Sequence, residues 1–185
     1  MAKGRYAKNL YELEIHPPIP GVKRDPDSPR VGPLVCDAKL FPMSSHHVEY
    51  FIITKPGTPY KPGLERWDLT AIPKEFKKWL PVADDDEIWI TSPMYHTEDE
   101  IFVFAGTNPD DLTDLGGEVE FWLGAGEEAE KLTITKSSFV WIPKGLVHCP
   151  IVYRRVDRPF LQIVIYANPT LEKHHIDLWP PEYKP

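Results

Sequence analysis

The sequence predicts an all-β fold, an antiparallel barrel or sandwich built from short strands. Three observations carry that prediction. The 185 residues include 21 prolines, about twice average usage. Each proline inside a helix would remove a hydrogen bond, so a helical bundle is disfavoured. From Lys39 onward, short stretches rich in β-branched and aromatic residues alternate apolar with polar positions. Turn residues separate these stretches at the short spacing typical of antiparallel barrels. A chain of this length buries roughly 70% of its unfolded surface. With 42% hydrophobic and 12% aromatic residues, it is no disordered chain.

Residues 1–35 carry Pro17, Pro18, Pro20, Pro26, Pro29 and Pro33. They read as an extended arm lying on the surface or on a partner subunit. Val48 to Thr54 is the first clear strand. Lys55 to Pro62 is a turn region rich in Pro and Gly. Pro73 to Leu80 is the one helix candidate, with Pro at its first position and Phe76, Trp79 and Leu80 on one face. Seven further strands follow at 87–91, 100–104, 118–123, 131–135, 139–142, 150–153 and 160–166. In the third of these, Val119, Phe121 and Leu123 face one way while Glu118, Glu120 and Trp122 face the other. One face of 139–142, either Phe139 with Trp141 or Val140 with Ile142, lines the interior. Gln162 is either an interior polar group or an exposed one. Residues 167–185 form a Pro-rich tail, in which His174 and His175 read as solvated.

The formal net charge is −7, and basic residues do not cluster. Nucleic acid and anionic membrane surfaces are therefore disfavoured as partners. No apolar run approaches bilayer length. The first ten residues lack the apolar stretch of a signal peptide. Two cysteines, Cys36 and Cys149, make no disulfide framework. A cytoplasmic protein is expected. Cys149, next to His148 on a strand, is expected to point away from the interior.

Seven histidines are present. His96 opens the run His96-Thr97-Glu98-Asp99-Glu100. Within a strand, residues i and i+4 lie roughly 13 Å apart, too far to share an ion, but a bend at Thr97 to Asp99 brings His96 to Glu100. His148 follows a turn at Pro143-Lys144-Gly145. Two imidazoles and a carboxylate form the set that holds Fe(II) and similar ions while leaving positions open.

These residues resemble the cupin family. Its first motif is Gly, five residues, His-x-His, three or four residues, Glu, six residues, Gly. Its second is Gly, five residues, Pro-x-Gly, two residues, His, three residues, Asn. Met94-Tyr95-His96, then Glu100, then Gly106 follow the first pattern. Pro143-x-Gly145-x-x-His148 follows the second. The departures are Met94 in place of the first His, a Glu-to-Gly gap one residue short, Ser137 for the leading Gly and Val152 for the closing Asn. The resemblance covers about residues 85–166.

The resemblance implies a cupin-type β-barrel, the double-stranded β-helix or jelly roll, over residues 36–168. The arm at 1–35 and the tail at 169–185 lie outside it. It also implies three protein ligands, His96, Glu100 and His148, for a divalent transition metal. Fe(II) or Mn(II) is the expected ion, with Zn and Ni as alternatives. Met94 supplies only a thioether, a poor ligand for such ions, so water or one of His46 and His47 completes the set. The expected function is a metal-dependent enzyme acting on a small organic substrate, of dioxygenase, isomerase, epimerase, lyase or decarboxylase type. Tyr95, Glu98 and Tyr153 are the candidates for a general base. The alternatives are a non-catalytic module that binds a small ligand, and a structural protein assembled through its arms. The arms and the residues beside them carry ten of the 21 prolines together with apolar side chains such as Leu10, Ile15, Ile176 and Trp179. A stiff apolar arm gains by packing on a surface, so a homodimer is expected.

Overall fold

The computed structural model describes residues 28–38, 40, 42–58, 93–170, 173–176 and 178–183, together with two short strands at 66–68 and 87–89. The helix expected at Pro73 to Leu80 and most of the N-terminal arm lie outside the described residues.

Twelve strands occur in chain order: β1 (Arg30–Cys36), β2 (His47–Ile53), β3 (Arg66–Asp68), β4 (Glu87–Trp89), β5 (Met94–Tyr95), β6 (Glu100–Ala105), β7 (Asp114–Leu123), β8 (Glu130–Lys136), β9 (Ser138–Ile142), β10 (His148–Val156), β11 (Phe160–Tyr166) and β12 (His174–His175). They form two five-stranded antiparallel sheets, ordered β1-β2-β11-β6-β9 and β12-β5-β10-β7-β8, with β3 and β4 as a separate ribbon. Neighbours along the chain are mostly not neighbours in a sheet, so the chain crosses repeatedly between the two layers. Among the described residues no helix is long and apolar enough to cross a membrane.

Alternation fixes what lies between the sheets. In β11, Phe160, Gln162, Val164 and Tyr166 are buried, and the residues between them are half-exposed. The register pairs these four with Ile53, Phe51, Glu49 and His47 of β2, which puts all of them on one face. Val140 and Ile142 are the interior pair of β9, while Phe139 and Trp141 stand in solvent at 72% and 56% exposure. Across the gap, Phe102 of the first sheet meets Phe121 of the second with ring centroids 4.9 Å apart. Phe104, Leu115, Val119 and Phe160 are fully enclosed around them. Each such side chain contributes roughly 1.5–3 kcal/mol by leaving water.

The structure differs from the sequence reading at four places. Strand β1 starts at Arg30, inside the segment read as an arm. Its Pro33 is accommodated because β1 is an edge strand whose register with β2 shifts between Val31 and Leu34. Strand β7 runs through Gly116-Gly117, read as a turn, with an irregularity between Asp114 and Val119. The tail is not merely solvated: His174 and His175 pair with β5 as β12. Trp179 is buried, and the Tyr183 ring packs against Trp122 on the outer face of the second sheet.

The fourth difference is Cys149. Strict alternation would turn it away from His148. Instead β10 bulges against β7: four residues, His148 to Ile151, oppose three of the partner, Leu123 to Phe121. Cys149 sits there with φ of 76°, and its side chain is buried in the interior cluster.

Candidate metal centre

The two motif turns are tied to each other. Thr97 and Glu98 form a bend between β5 and β6. His96 therefore sits outside either strand, and Glu100 opens the second. Asp99 braces this bend against the other turn: its Oδ1 accepts from the Lys144 backbone N–H at 3.0 Å and its Oδ2 from Trp141 Nε1 at 3.3 Å. The Gly145 N–H donates to the His96 carbonyl at 2.8 Å. Gly145 itself has φ of +81°, a left-handed conformation that glycine adopts without penalty. The glycine closing the first motif has a different reason. A Cβ on Gly106 would lie 1.9 Å from the Asp114 carbonyl oxygen.

This scaffold brings the three expected ligands together. His148 Nε2 lies 3.0 Å and His96 Nε2 3.3 Å from the same oxygen, Glu100 Oε2. All three residues are buried, at 3% exposure or less. Their ligating atoms lie within 4.8 Å of one another, and no ion is included. His148 Nδ1 is 3.2 Å from the Leu146 carbonyl. A carbonyl only accepts, so Nδ1 carries a proton, and Nε2 is the nitrogen left to face Glu100 and to ligate an ion. Glu100 Oε2 is enclosed and has no well-aligned hydrogen bond. Burial would raise the Glu100 carboxyl, but the contacts with His148 and His96 outweigh it and hold it down at about 2. The donors present thus fit a divalent transition ion: two imidazole nitrogens and one ionised carboxylate, enclosed and aimed at one point.

The cluster forms one end of a cavity between the sheets. Met94 and Cys149 line it beside the ligands, and Phe51, Phe102 and Val164 form its apolar wall. Four polar side chains complete it: Arg30, Glu49, Gln162 and Lys173. Sequence reading named none of these four as site residues. Arg30 comes from the presumed arm and Lys173 from the presumed tail, so no motif spacing could reach them. Gln162 was visible as a polar residue among apolar ones, and its strand face decides the matter.

The remaining sequence candidates fall elsewhere. His46 is exposed and bonds Ser45. His47 is buried with its Nε2 2.9 Å from Glu49 Oε1. Burial would raise the Glu49 carboxyl, and the His47 bond with the charges of Lys173 and Arg30 outweighs it and lowers it. Neither histidine belongs to the cluster among the described residues. Met94 does sit beside it, paired with His148 across β5 and β10. Tyr95 stacks on His174 with centroids 4.9 Å apart. Glu98 lies half-exposed on the bend. Tyr153 is buried one layer behind the cavity, where its hydroxyl donates to Gln162 Oε1 and accepts from Arg30 Nε at 2.8 Å. Burial raises the Tyr153 hydroxyl against the opposing Arg30 charge, which keeps its proton on the oxygen. That state suits holding or donating a proton better than abstracting one.

The architecture is cupin-like: two antiparallel sheets enclose a cavity, and the residues matching both motifs meet inside it. No protein-family model matches the chain, and no curated protein matches its sequence. Solved structures similar to it include oxalate oxidase in complex with the substrate analogue glycolate, with 10% identity and a TM-score of 0.43 over 77% of this chain and 53% of that one. Another is oxalate decarboxylase of Bacillus subtilis, a protein with Mn(II) centres, with 9% identity and a TM-score of 0.46 over 84% of this chain and 30% of that one. The chain thus spans about half the length of the first and under a third of the second. Both are distant likenesses of fold, and the reading of the cluster rests on this chain's own geometry.

Proposed function

We propose that this protein is a metal-dependent enzyme of cupin type acting on a small organic substrate. His96, Glu100 and His148 would hold one first-row divalent ion, Fe(II) or Mn(II) ahead of Zn or Ni. The observation that carries the reading is the convergence of both Nε2 atoms on one enclosed carboxylate oxygen. A bound ion supplies Lewis-acid polarisation of substrate oxygens, and redox chemistry if it is iron or manganese. The chain's own contributions are separate from the ion. Phe51, Phe102 and Val164 exclude water from the cavity. The Leu146 carbonyl fixes the His148 tautomer, and the Asp99 brace fixes where His96 stands relative to His148. The Tyr153 hydroxyl, one residue back from the cavity, keeps its proton and donates it in a hydrogen bond to Gln162.

Elemental analysis of the purified protein tests the reading. The expected result is about one first-row ion per chain, lost in His148→Ala. A wild-type protein that takes up no such ion after reconstitution ends the metal reading.

Assembly as a homodimer belongs to the same proposal. Phe139 and Trp141 stand two residues apart on the outer face of edge strand β9, which supports a surface that a second copy would cover. Light scattering at micromolar concentration decides it, and a monomeric mass removes the dimer.

A further inference from the structure

Resting on that reading, we infer that Gln162 is the substrate-binding donor of the cavity, and that the ligand it takes is a small organic acid presenting a carboxylate oxygen. Gln162 is fully buried on the inner face of β11 and lines the same cavity as the metal cluster. Its amide can be oriented from its partners. Arg30 Nη2 lies 3.4 Å from one amide atom, and the Tyr153 hydroxyl bonds the same atom. A guanidinium only donates, so that atom is the oxygen, Oε1. The opposite end of the amide is then the NH2 group, and Nε2 is enclosed with no hydrogen-bond partner among the described residues. A buried donor left unmade destabilises the fold, and native interiors rarely keep one without a use for it.

The surrounding charge selects what this donor meets. Arg30 and Lys173 bring two positive charges to the cavity, and Glu49 and Glu100 bring two negative ones. Glu49 is already engaged by His47. A bound divalent ion leaves the lining net positive, so an anion is favoured over a neutral or cationic ligand. Along β11 the Gln162 row stands four residues from the Tyr166 row, which pairs with Glu100; that is roughly 13 Å of strand, shortened by the reach of the side chains. A short-chain acid admitted to the cavity would bridge that span with one end at the ligand cluster and a carboxylate oxygen at Nε2. Tyr153 and Arg30 are positioning residues in this arrangement, since they hold the amide by its oxygen.

The test is calorimetric titration of malonate, succinate and glutarate into the full-length protein, in Mn(II)-loaded and in EDTA-treated form. Wild type is compared with Gln162→Leu and Gln162→Glu, and metal content is measured for each. Gln162→Glu keeps an acceptor for Tyr153 and Arg30, so it guards against a leucine variant that fails to fold. At least one acid is expected to bind wild type. Gln162→Leu weakens that binding about 5–10-fold, and Gln162→Glu weakens it more than tenfold because a carboxylate then faces a carboxylate. Metal content stays equal in all three proteins. Equal acid affinities across the three overturn the proposal, as does absence of binding to wild type in both forms. If wild type holds no metal, the metal reading fails alone, because the EDTA-treated comparison still reads Gln162.

Discussion

Two buried carboxylates in this protein are held in opposite ways. Glu100 lies between the sheets at 3% exposure, facing two imidazoles. Glu120 lies on the outer face of the second sheet at 8% exposure, facing Arg154 Nη2 at 2.8 Å and Lys131 Nζ at 3.5 Å. Tyr183 from the C-terminal segment covers it, with its hydroxyl 3.4 Å away. Glu120 has permanent cations and a lid, which is how a structural carboxylate is neutralised. Glu100 has neither. Among the described residues its oxygen faces two imidazoles, a side chain that can serve as a hydrogen-bond partner or as a metal ligand. Burial alone therefore does not mark a site. The kind of partner does.

The largest effect that sharpens the contrast is expected at His148. Replacing it by alanine removes one of three ligands and should lower metal affinity by at least about 100-fold, beyond the 10–100-fold that loss of a supporting group costs. Elemental analysis after dialysis reads this, and retained metal would dissolve the distinction between Glu100 and Glu120. Next in size is Met94→His. Met94 lines the cavity beside His148, and an imidazole in place of the thioether should tighten Mn(II) or Fe(II) binding about tenfold. Competition with a chelator measures it, and unchanged affinity would show that position 94 is not the vacated ligand site.

On the outer face, Arg154→Ala should cost about 1 kcal/mol in urea unfolding, a figure kept small because the Arg154 side chain is 46% exposed. Metal content should not change. A parallel loss of metal would mean that the two carboxylates are coupled. The same ion pair has a pH signature. Burial would raise the Glu120 carboxyl, and Arg154 and Lys131 outweigh it, so it is lowered from 4.5 in the folded protein. A lowered carboxyl stabilises the fold above about pH 4.5 and loses that contribution as pH falls below it. Glu120→Gln should therefore flatten the decline of the urea midpoint below pH 4.5, and an unchanged slope would assign the decline to other groups. The smallest effect is expected from Phe139→Ser, within about 0.5 kcal/mol of wild type in stability, because Phe139 is 72% exposed among the described residues. If two copies meet there, the variant lowers the mass seen by light scattering while stability holds.

Much of the cluster was legible in the sequence. The bend expected at Thr97 to Asp99 is present, and it joins His96 to Glu100 as the spacing argument required. The Pro-x-Gly turn places His148 opposite them. Both are local devices: a bend and a left-handed glycine are encoded within a few residues. The cavity's other half was not legible. Arg30 reaches it because β1 pairs with β2, and Lys173 because the chain returns beside β5. Both depend on pairing between separate segments, which leaves no periodic trace in either one.

Sequence alone located β2 and the strands from β6 to β11, because alternation of apolar and polar residues has period two whether or not the partner strand is known. It also located the three residues that cluster between the sheets, His96, Glu100 and His148, through turn chemistry and residue type. Tertiary structure decided which face of β9 turns inward, since Val140 with Ile142 and Phe139 with Trp141 are equally apolar and only the opposing sheet distinguishes them. It decided that Cys149 shares the interior with His148, since the bulge that breaks alternation is defined by pairing with β7. And it decided the direction of the Gln162 amide, because a residue that can both donate and accept takes its orientation from its neighbours, here the guanidinium of Arg30 and the hydroxyl of Tyr153.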